Sequence, residues 1–401
     1  MSSIEFPSKK RLVTNRETFA LLHQVRRFCG FTPFYLYHAD KNSPLMSVKI
    51  TIKDALCFVT CCVIYTYFSM QNYHYRILFA MSRSFLSNMG NILITFCGVL
   101  MAAGCPIMNI INRKKICKMF NMVEEWDVNL YYDLNETLDM VPIKKRLYIY
   151  MLYGFGSTFF NATSSIFMFL YITDFNFFKE WYFLLCYFIV CLAYFVFISH
   201  FIIWLQVICN RFHVLNVVLE KRTNSQVMKK QTSEELENSI IKISILHNEV
   251  SEILELGNRL FSVQMIPFFT TFMCYLIFVA FQGYLLFFDY NTEDLIKTLM
   301  NVLWLVWLIV LVVIIVHNAS KILELSEDMA IKVHNTINQL DPRNYCSVVR
   351  RMRYFVQQIQ HRKPVVSCGL FVIDYSLLLG MSSAFITFIV ILIQFETVKN
   401  I

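Results

Sequence analysis

Apolar residues along this chain gather into seven long stretches, about 54–72, 88–111, 147–171, 181–209, 260–288, 299–320 and 376–395, with Lys, Arg, Asp, Glu and Asn returning between them. A helix needs roughly 20 predominantly apolar residues to cross the hydrocarbon core of a bilayer, and only helices or closed barrels satisfy their backbone groups there. Each stretch therefore reads as a spanning helix, and an odd number places the termini on opposite sides. Helical periodicity continues outside the spans. Ile240, Ile243, Leu246, Val250 and Ile253 recur near heptad spacing. Ile322, Leu323, Leu325, Met329 and Val333 carry the sixth span onwards until Asp341-Pro342 interrupts it. A further helix is expected over about 345–360, and a short one over 364–375 leading into the last span. The polar stretch 222–236 reads as a disordered loop. Pro267 predicts a kink in the fifth span unless neighbouring groups satisfy the carbonyl it frees.

Composition agrees with lipid as the natural solvent: of 401 residues, 57% are apolar and 16% charged. The 13 cysteines follow no disulfide or zinc spacing, and most lie in apolar runs, where they read as small core residues. Residues 1–53 are polar and basic with no early apolar region, so the first span is expected to direct insertion. Basic residues then orient the chain. Of the 36 Lys and Arg, 31 fall in the N-terminal segment and the 2–3, 4–5 and 6–7 loops, and five in the remaining loops and the C-terminus. The positive-inside rule puts the N-terminus in the cytoplasm and the C-terminus outside, opposite to a G-protein-coupled receptor. The outer loops are short and the inner ones long. By this topology the sequons at Asn135, Asn161 and Asn318 are never exposed to the lumen and stay unused.

The resulting fold class is all-α: a polytopic membrane protein of seven transmembrane helices with a cytoplasmic N-terminus, an extracellular C-terminus and a cytoplasmic helical anchor region. Its expected parts are a cytoplasmic segment 1–53, helices 1–4 over 54–209, a cytoplasmic loop and helix over 210–259, helices 5–6 over 260–320, anchor helices over 321–375, a pore-lining seventh helix over 376–395 and an extracellular tail 396–401.

The last span carries the clearest polar pattern. Ser376, Gly380, Ser383, Thr387 and Gln394 recur at helical period and form one stripe on an otherwise apolar helix. Such a stripe either packs on other helices of the same subunit, as small and hydroxylated residues do in membranes, or lines a water-filled pore shared by several subunits. On the second reading Gln394, Phe395 and Glu396 lie at the extracellular end, where Phe395 constricts and Glu396 concentrates cations. Polar groups for a small ligand in the outer halves of the spans are Asn88, Asn91, Thr163, Gln282, Asn301 and Trp304, with Asn161 beside Thr163; Gln282 and Trp304 rank highest. Each such residue also suits an interhelical hydrogen bond or an interfacial anchor. His200, Gln206 and His317 are too scattered for a proton relay and read as packing groups.

Other function classes fit poorly. A transporter calls for repeated halves and midplane charges, and Asp54, Arg211 and Asp289 all sit at span ends. A membrane enzyme calls for converging nucleophile, acid–base or metal groups, and no spacing of that kind stands in the sequence. No cofactor or nucleic-acid partner is expected.

The end of the last span resembles the insect gustatory receptor family, whose signature is Thr-Tyr, five apolar residues, then Gln-Phe. Here it stands as Thr387-Phe388, Ile389 to Ile393, Gln394-Phe395, with Phe388 in place of the family's Tyr. Arg362, Pro364, Gly369, Phe371 and Asp374 resemble the family's approach to this span, and Phe261 to Met265 and Gly30 to Phe34 resemble further family positions. The resemblance implies a homotetrameric, ligand-gated, non-selective cation channel in the plasma membrane of gustatory or other sensory neurons, gated by a small-molecule tastant, with heteromers among such receptors as a variant. It implies gate and pore residues Gln394, Phe395, Ile391, Thr387 and Glu396, and an anchor between subunits built from the cytoplasmic ends of spans 4 to 6 and the 364–375 segment. A bitter or other non-sugar ligand is favoured over a sugar. The rival is an insect odorant receptor-type subunit that requires a co-receptor.

Overall fold

The computed structural model describes residues 34–38, 46–79, 104–138, 141–172, 177–224, 232–288, 292–341 and 343–399, with isolated positions 89, 92–93, 96 and 100. Eight long helices are numbered here in chain order: α1 Ile52–Phe79, α2 Arg113–Leu134, α3 Val141–Ile172, α4 Phe177–Thr223, α5 Ser233–Phe288, α6 Thr292–Gln339, α7 Cys346–His361 and α8 Tyr375–Lys399. Residues 104–111 are also helical and run into α2 through a turn at Asn112. Spans 1, 3, 4, 5, 6 and 7 thus fall within α1, α3, α4, α5, α6 and α8. Among the described residues, the α4, α5, α6 and α8 segments are long and apolar enough to cross a membrane.

Local sequence sets several boundaries. Thr51 and Asp54 exchange hydrogen bonds at the start of α1, the Thr51 amide donating to Oδ2 at 3.1 Å and the Asp54 amide to Oγ1 at 3.2 Å. Thr232 and Glu235 repeat that reciprocal cap at α5. Asn135 ends α2 in the left-handed conformation, its amide donating to the Tyr131 carbonyl. The α5 helix continues through Pro267, and the Thr271 hydroxyl donates to the Pro267 carbonyl at 2.7 Å.

One exception to the all-α expectation precedes α1. Strands β1 Tyr35–His38 and β2 Met46–Lys49 pair antiparallel, Tyr35 opposite Lys49 and His38 opposite Met46, and β2 rests on α2. A second correction concerns the short helix expected over residues 364–375: residues 364–374 form no helix, and Tyr375 already begins α8. Pro364 lacks an amide proton, and Gly369 takes φ +83°, a conformation that glycine alone enters freely. The segment closes as a tight hairpin with a Ser367–Val372 bridge and an Ile373 amide donating to the Val366 carbonyl at 2.8 Å.

Burial concentrates where α4, α5, α6 and α7 meet, with α4 packed on α1, α3, α5 and α6. The periodic residues Ile240, Ile243, Leu246, Val250 and Ile253 all face inward, as do Ile322, Met329 and Val333 of α6 and Val348, Met352, Phe355 and Ile359 of α7. Burying side chains of this size stabilises by about 1.5–3 kcal/mol each before entropy is counted. Gly257 lets α5 close on α4, since a Cβ there would lie 1.9 Å from the Trp204 ring. The polar 4–5 connection is shorter than the sequence suggests: α4 reaches Thr223 and α5 begins at Ser233, while 225–231 lie outside the described residues.

Candidate functional site

The last helix is held at its base and bare along its length. Asp374 caps it, its Oδ1 accepting from the Leu377 amide at 3.1 Å. The preceding hairpin is pinned to α5: Asn258 Nδ2 donates to the Val365 carbonyl at 2.8 Å, and the Phe371 ring meets Phe269 edge-on at 5.5 Å. Arg362 reaches Asn248, Glu252 and Glu255 on the same helix, at 2.6, 3.3 and 3.2 Å. Beyond that base α8 is largely exposed, with Leu379 at 74% and Phe395 at 66% of full exposure.

The polar stripe is exposed too. Ser376, Gly380, Ser383, Thr387 and Gln394 all face away from the rest of the chain, so the stripe does not pack against helices of the same subunit. The Thr387 hydroxyl donates to the Ser383 carbonyl of its own helix at 3.1 Å. Ile391 and Phe395 are exposed beside Gln394, and Glu396 is half-buried. An apolar helix with a polar line has a face for lipid and a face for water or for another protein.

A second group of sequence candidates comes together between α5 and α6. Asn301 Nδ2 donates to Gln282 Oε1 at 2.9 Å, and the Tyr275 hydroxyl reaches Asn301 Oδ1 at 3.5 Å. Trp304, buried, meets Trp307 perpendicular with centroids 5.2 Å apart, and the Trp307 indole donates to the Ser157 hydroxyl of α3 at 2.9 Å. Three helices therefore contribute amides, a phenol, an alcohol and two indoles, all uncharged. Such groups bind neutral molecules by hydrogen bonds and ring stacking. Thr163 does not join them, because its hydroxyl is spent on the Phe159 and Phe160 carbonyls of its own helix. Asn88 and Asn91 lie outside the described residues. Tyr275, Ser157 and Trp307 were not singled out from the sequence. Tyr275 precedes Gln282 by seven and Trp307 follows Trp304 by three, which are same-face spacings that point to them.

Other polar groups make contacts elsewhere in the chain. Gln264 Nε2 donates to Asn109 Oδ1 at 3.1 Å, both buried. His200 is buried edge-on to Phe261 at 5.1 Å, while His317 Nδ1 lies 2.9 Å from the Tyr375 hydroxyl. Where α2 meets α4, the buried Arg211 guanidinium donates to the Asp127 carboxylate and stacks over Trp126, 5.4 Å from its ring centre. Burial lowers the Arg211 pKa and the Asp127 charge draws it back up. At the junction of α4, α5, α6 and α7, His247 lies against Phe212 and Phe355 with Nε2 3.2 Å from the Ser326 hydroxyl. Desolvation, and then the Arg362 charge, lower its pKa to about 4.

A family model described as 7tm Chemosensory receptor matches residues 19–399. No curated protein sequence matches significantly. Among solved structures, the chain is similar to the insect olfactory receptor OR5 from Machilis hrabei in complex with eugenol. There the TM-score is 0.68 at 15% identity, over 94% of this chain and 98% of that one. The structure of OR5 described without eugenol gives a TM-score of 0.63 at 14% identity, over 95% and 98%. At these identities the likeness shows the fold.

Proposed function

This chain belongs to the 7tm chemosensory receptor family, and from that premise we propose that it is a gustatory receptor acting as a ligand-gated, non-selective cation channel. The observation that carries the proposal is the outward-facing stripe of α8. A line of Ser, Gly, Thr and Gln along a helix that its own subunit leaves bare suits an aqueous path enclosed by several copies, most simply four. In this reading Gln394 and Phe395 form the gate with Ile391 and Thr387 below them, and Glu396 gathers cations at the mouth. The basic loops face the cytoplasm. The ending Thr387-Phe388 to Gln394-Phe395 supports the gustatory branch over the odorant one.

The ligand site is the uncharged group around Gln282, Asn301 and Trp304, which favours a neutral, partly aromatic compound of the bitter or non-sugar kind. Binding there acts on the relation between α5 and α6, the helices against which the base of α8 rests.

The test is whole-cell current from cells expressing this chain alone, wild type beside Gln394→Ala, under sugars and bitter compounds with G-protein signalling blocked. A fast cation current altered by the substitution is expected. Current that appears only when a co-receptor is supplied would move the chain to the odorant type. Silence with confirmed surface expression would overturn the channel reading.

A further inference from the structure

The first residue of α8 is tied to α6. The Tyr375 hydroxyl lies 2.9 Å from His317 Nδ1, on a surface exposed in the single chain. His317 sits on the helix that carries Asn301 and Trp304, sixteen residues after the first, which is about 24 Å of helix at ~1.5 Å per residue. Tyr375 begins the helix that carries Gln394, nineteen residues on. The other hold on this base is of a different kind. The hairpin fixes it to α5 through buried Val366 and Ile373, the Phe371–Phe269 contact and the Asn258 bond to the Val365 carbonyl. The α8 base is thus gripped firmly by α5 and by an exposed hydrogen bond from α6, and α5 and α6 meet again at the Gln282–Asn301 pair.

We infer that His317 and Tyr375 are positioning residues that couple the α5–α6 ligand group to the pore helix, the bond transmitting displacement of α6 relative to α5 into the base of α8. This rests on the receptor-channel reading above. A packed apolar contact yields little to a small slide, whereas an exposed hydrogen bond remakes or breaks, so it is the α6 side that carries the change.

The experiment measures the ratio of ligand-evoked to basal current, with surface biotinylation, for the full chain and His317→Ala, Tyr375→Phe, the double variant and His317→Asn. Quinine, caffeine, sucrose and eugenol serve as probes. Tyr375→Phe removes one oxygen from an exposed ring, so folding is not at stake. Each single variant is expected to shift the ratio by about threefold or more at unchanged surface amount, with the double variant no further than the larger single. His317→Asn, whose amide occupies the place of Nδ1, is expected to restore it. Independent, additive shifts, or unchanged ratios beside a responding wild type, overturn the coupling and leave the channel reading standing. A wild type silent to every probe overturns that reading and the coupling with it.

Discussion

Arg211, with no exposed side-chain surface, donates to both oxygens of Asp127 at 2.8 and 3.0 Å across 84 residues of sequence. The pair joins α2 to α4, and Nη1 also donates to the Val207 carbonyl at 2.9 Å. Removing one member strands a buried charge. Asp127→Ala is expected to cost about 3 kcal/mol, the low end for a broken buried pair because Asp127 retains some exposure. Replacing both, as in Asp127→Leu with Arg211→Met, should cost less than Asp127→Ala alone. Melting temperatures in detergent give the comparison; equal losses in the two would refute it.

His247 makes stability fall in mild acid. Its pKa in the folded chain is about 4, below the ordinary 6.5, so the unfolded chain holds the proton more tightly. The stability from keeping it neutral is complete above pH 6.5 and is lost as pH falls from there through 4, about 3 kcal/mol in all. Comparing wild type with His247→Gln isolates this residue from other titrating groups. The melting temperature of wild type should drop more steeply between pH 6.5 and 4.5, and parallel curves would exclude the assignment.

Gly369→Ala tests the hairpin. Its φ of +83° strains any side chain while open space surrounds the added Cβ, so the cost is backbone alone, about 1–2 kcal/mol. Thermal unfolding of the variant reads it directly. A neutral result would mean that the turn readily adopts another conformation.

Gln282→Ala leaves Asn301 Nδ2 without its 2.9 Å acceptor. A shift of about five- to tenfold in half-maximal ligand concentration is expected from the loss of roughly 1 kcal/mol of hydrogen bonding, with surface expression unchanged. Thr163→Ala, whose hydroxyl bonds within its own helix, should leave the dose–response curve in place. Equal shifts in the two variants would dissolve the proposed site.

What the sequence reveals and what it hides follow from the range of the forces involved. Spans and their extensions are legible because burial imposes a period: Ile240, Ile243, Leu246, Val250 and Ile253, with Ile322, Met329 and Val333, point inward as their spacing predicts, while Leu323 and Leu325 are half-buried. The hairpin ahead of α8 replaces an expected short helix, and Pro364, which offers no amide proton, and Gly369, at φ +83°, are the local signals for a turn there. The β1–β2 pair was missed, yet Tyr35-Leu36-Tyr37 followed by Asp40, Asn42, Ser43 and Pro44 is a strand and turn signal. Pairs such as Arg211–Asp127 and Gln264–Asn109 join distant parts of the chain, and no local pattern announces them. In the candidate site, single residues were visible but their joining was not: Gln282 and Asn301 were named separately, while Ser157 became relevant only through the Trp307 indole.

The bareness of α8 also separates two patterns of inheritance. A damaged Arg211 or His247 destroys the chain that carries it, so one intact copy of the gene still supplies sound protein and the defect is recessive. A changed Gln394 or Thr387 costs its own chain almost no folding stability, since neither side chain is buried there. Such a subunit matures normally, and in the four-copy assembly proposed above it enters most complexes alongside normal partners. Random mixing of equal amounts leaves about one complex in sixteen wholly normal, so alleles of the last helix should act as dominant ones.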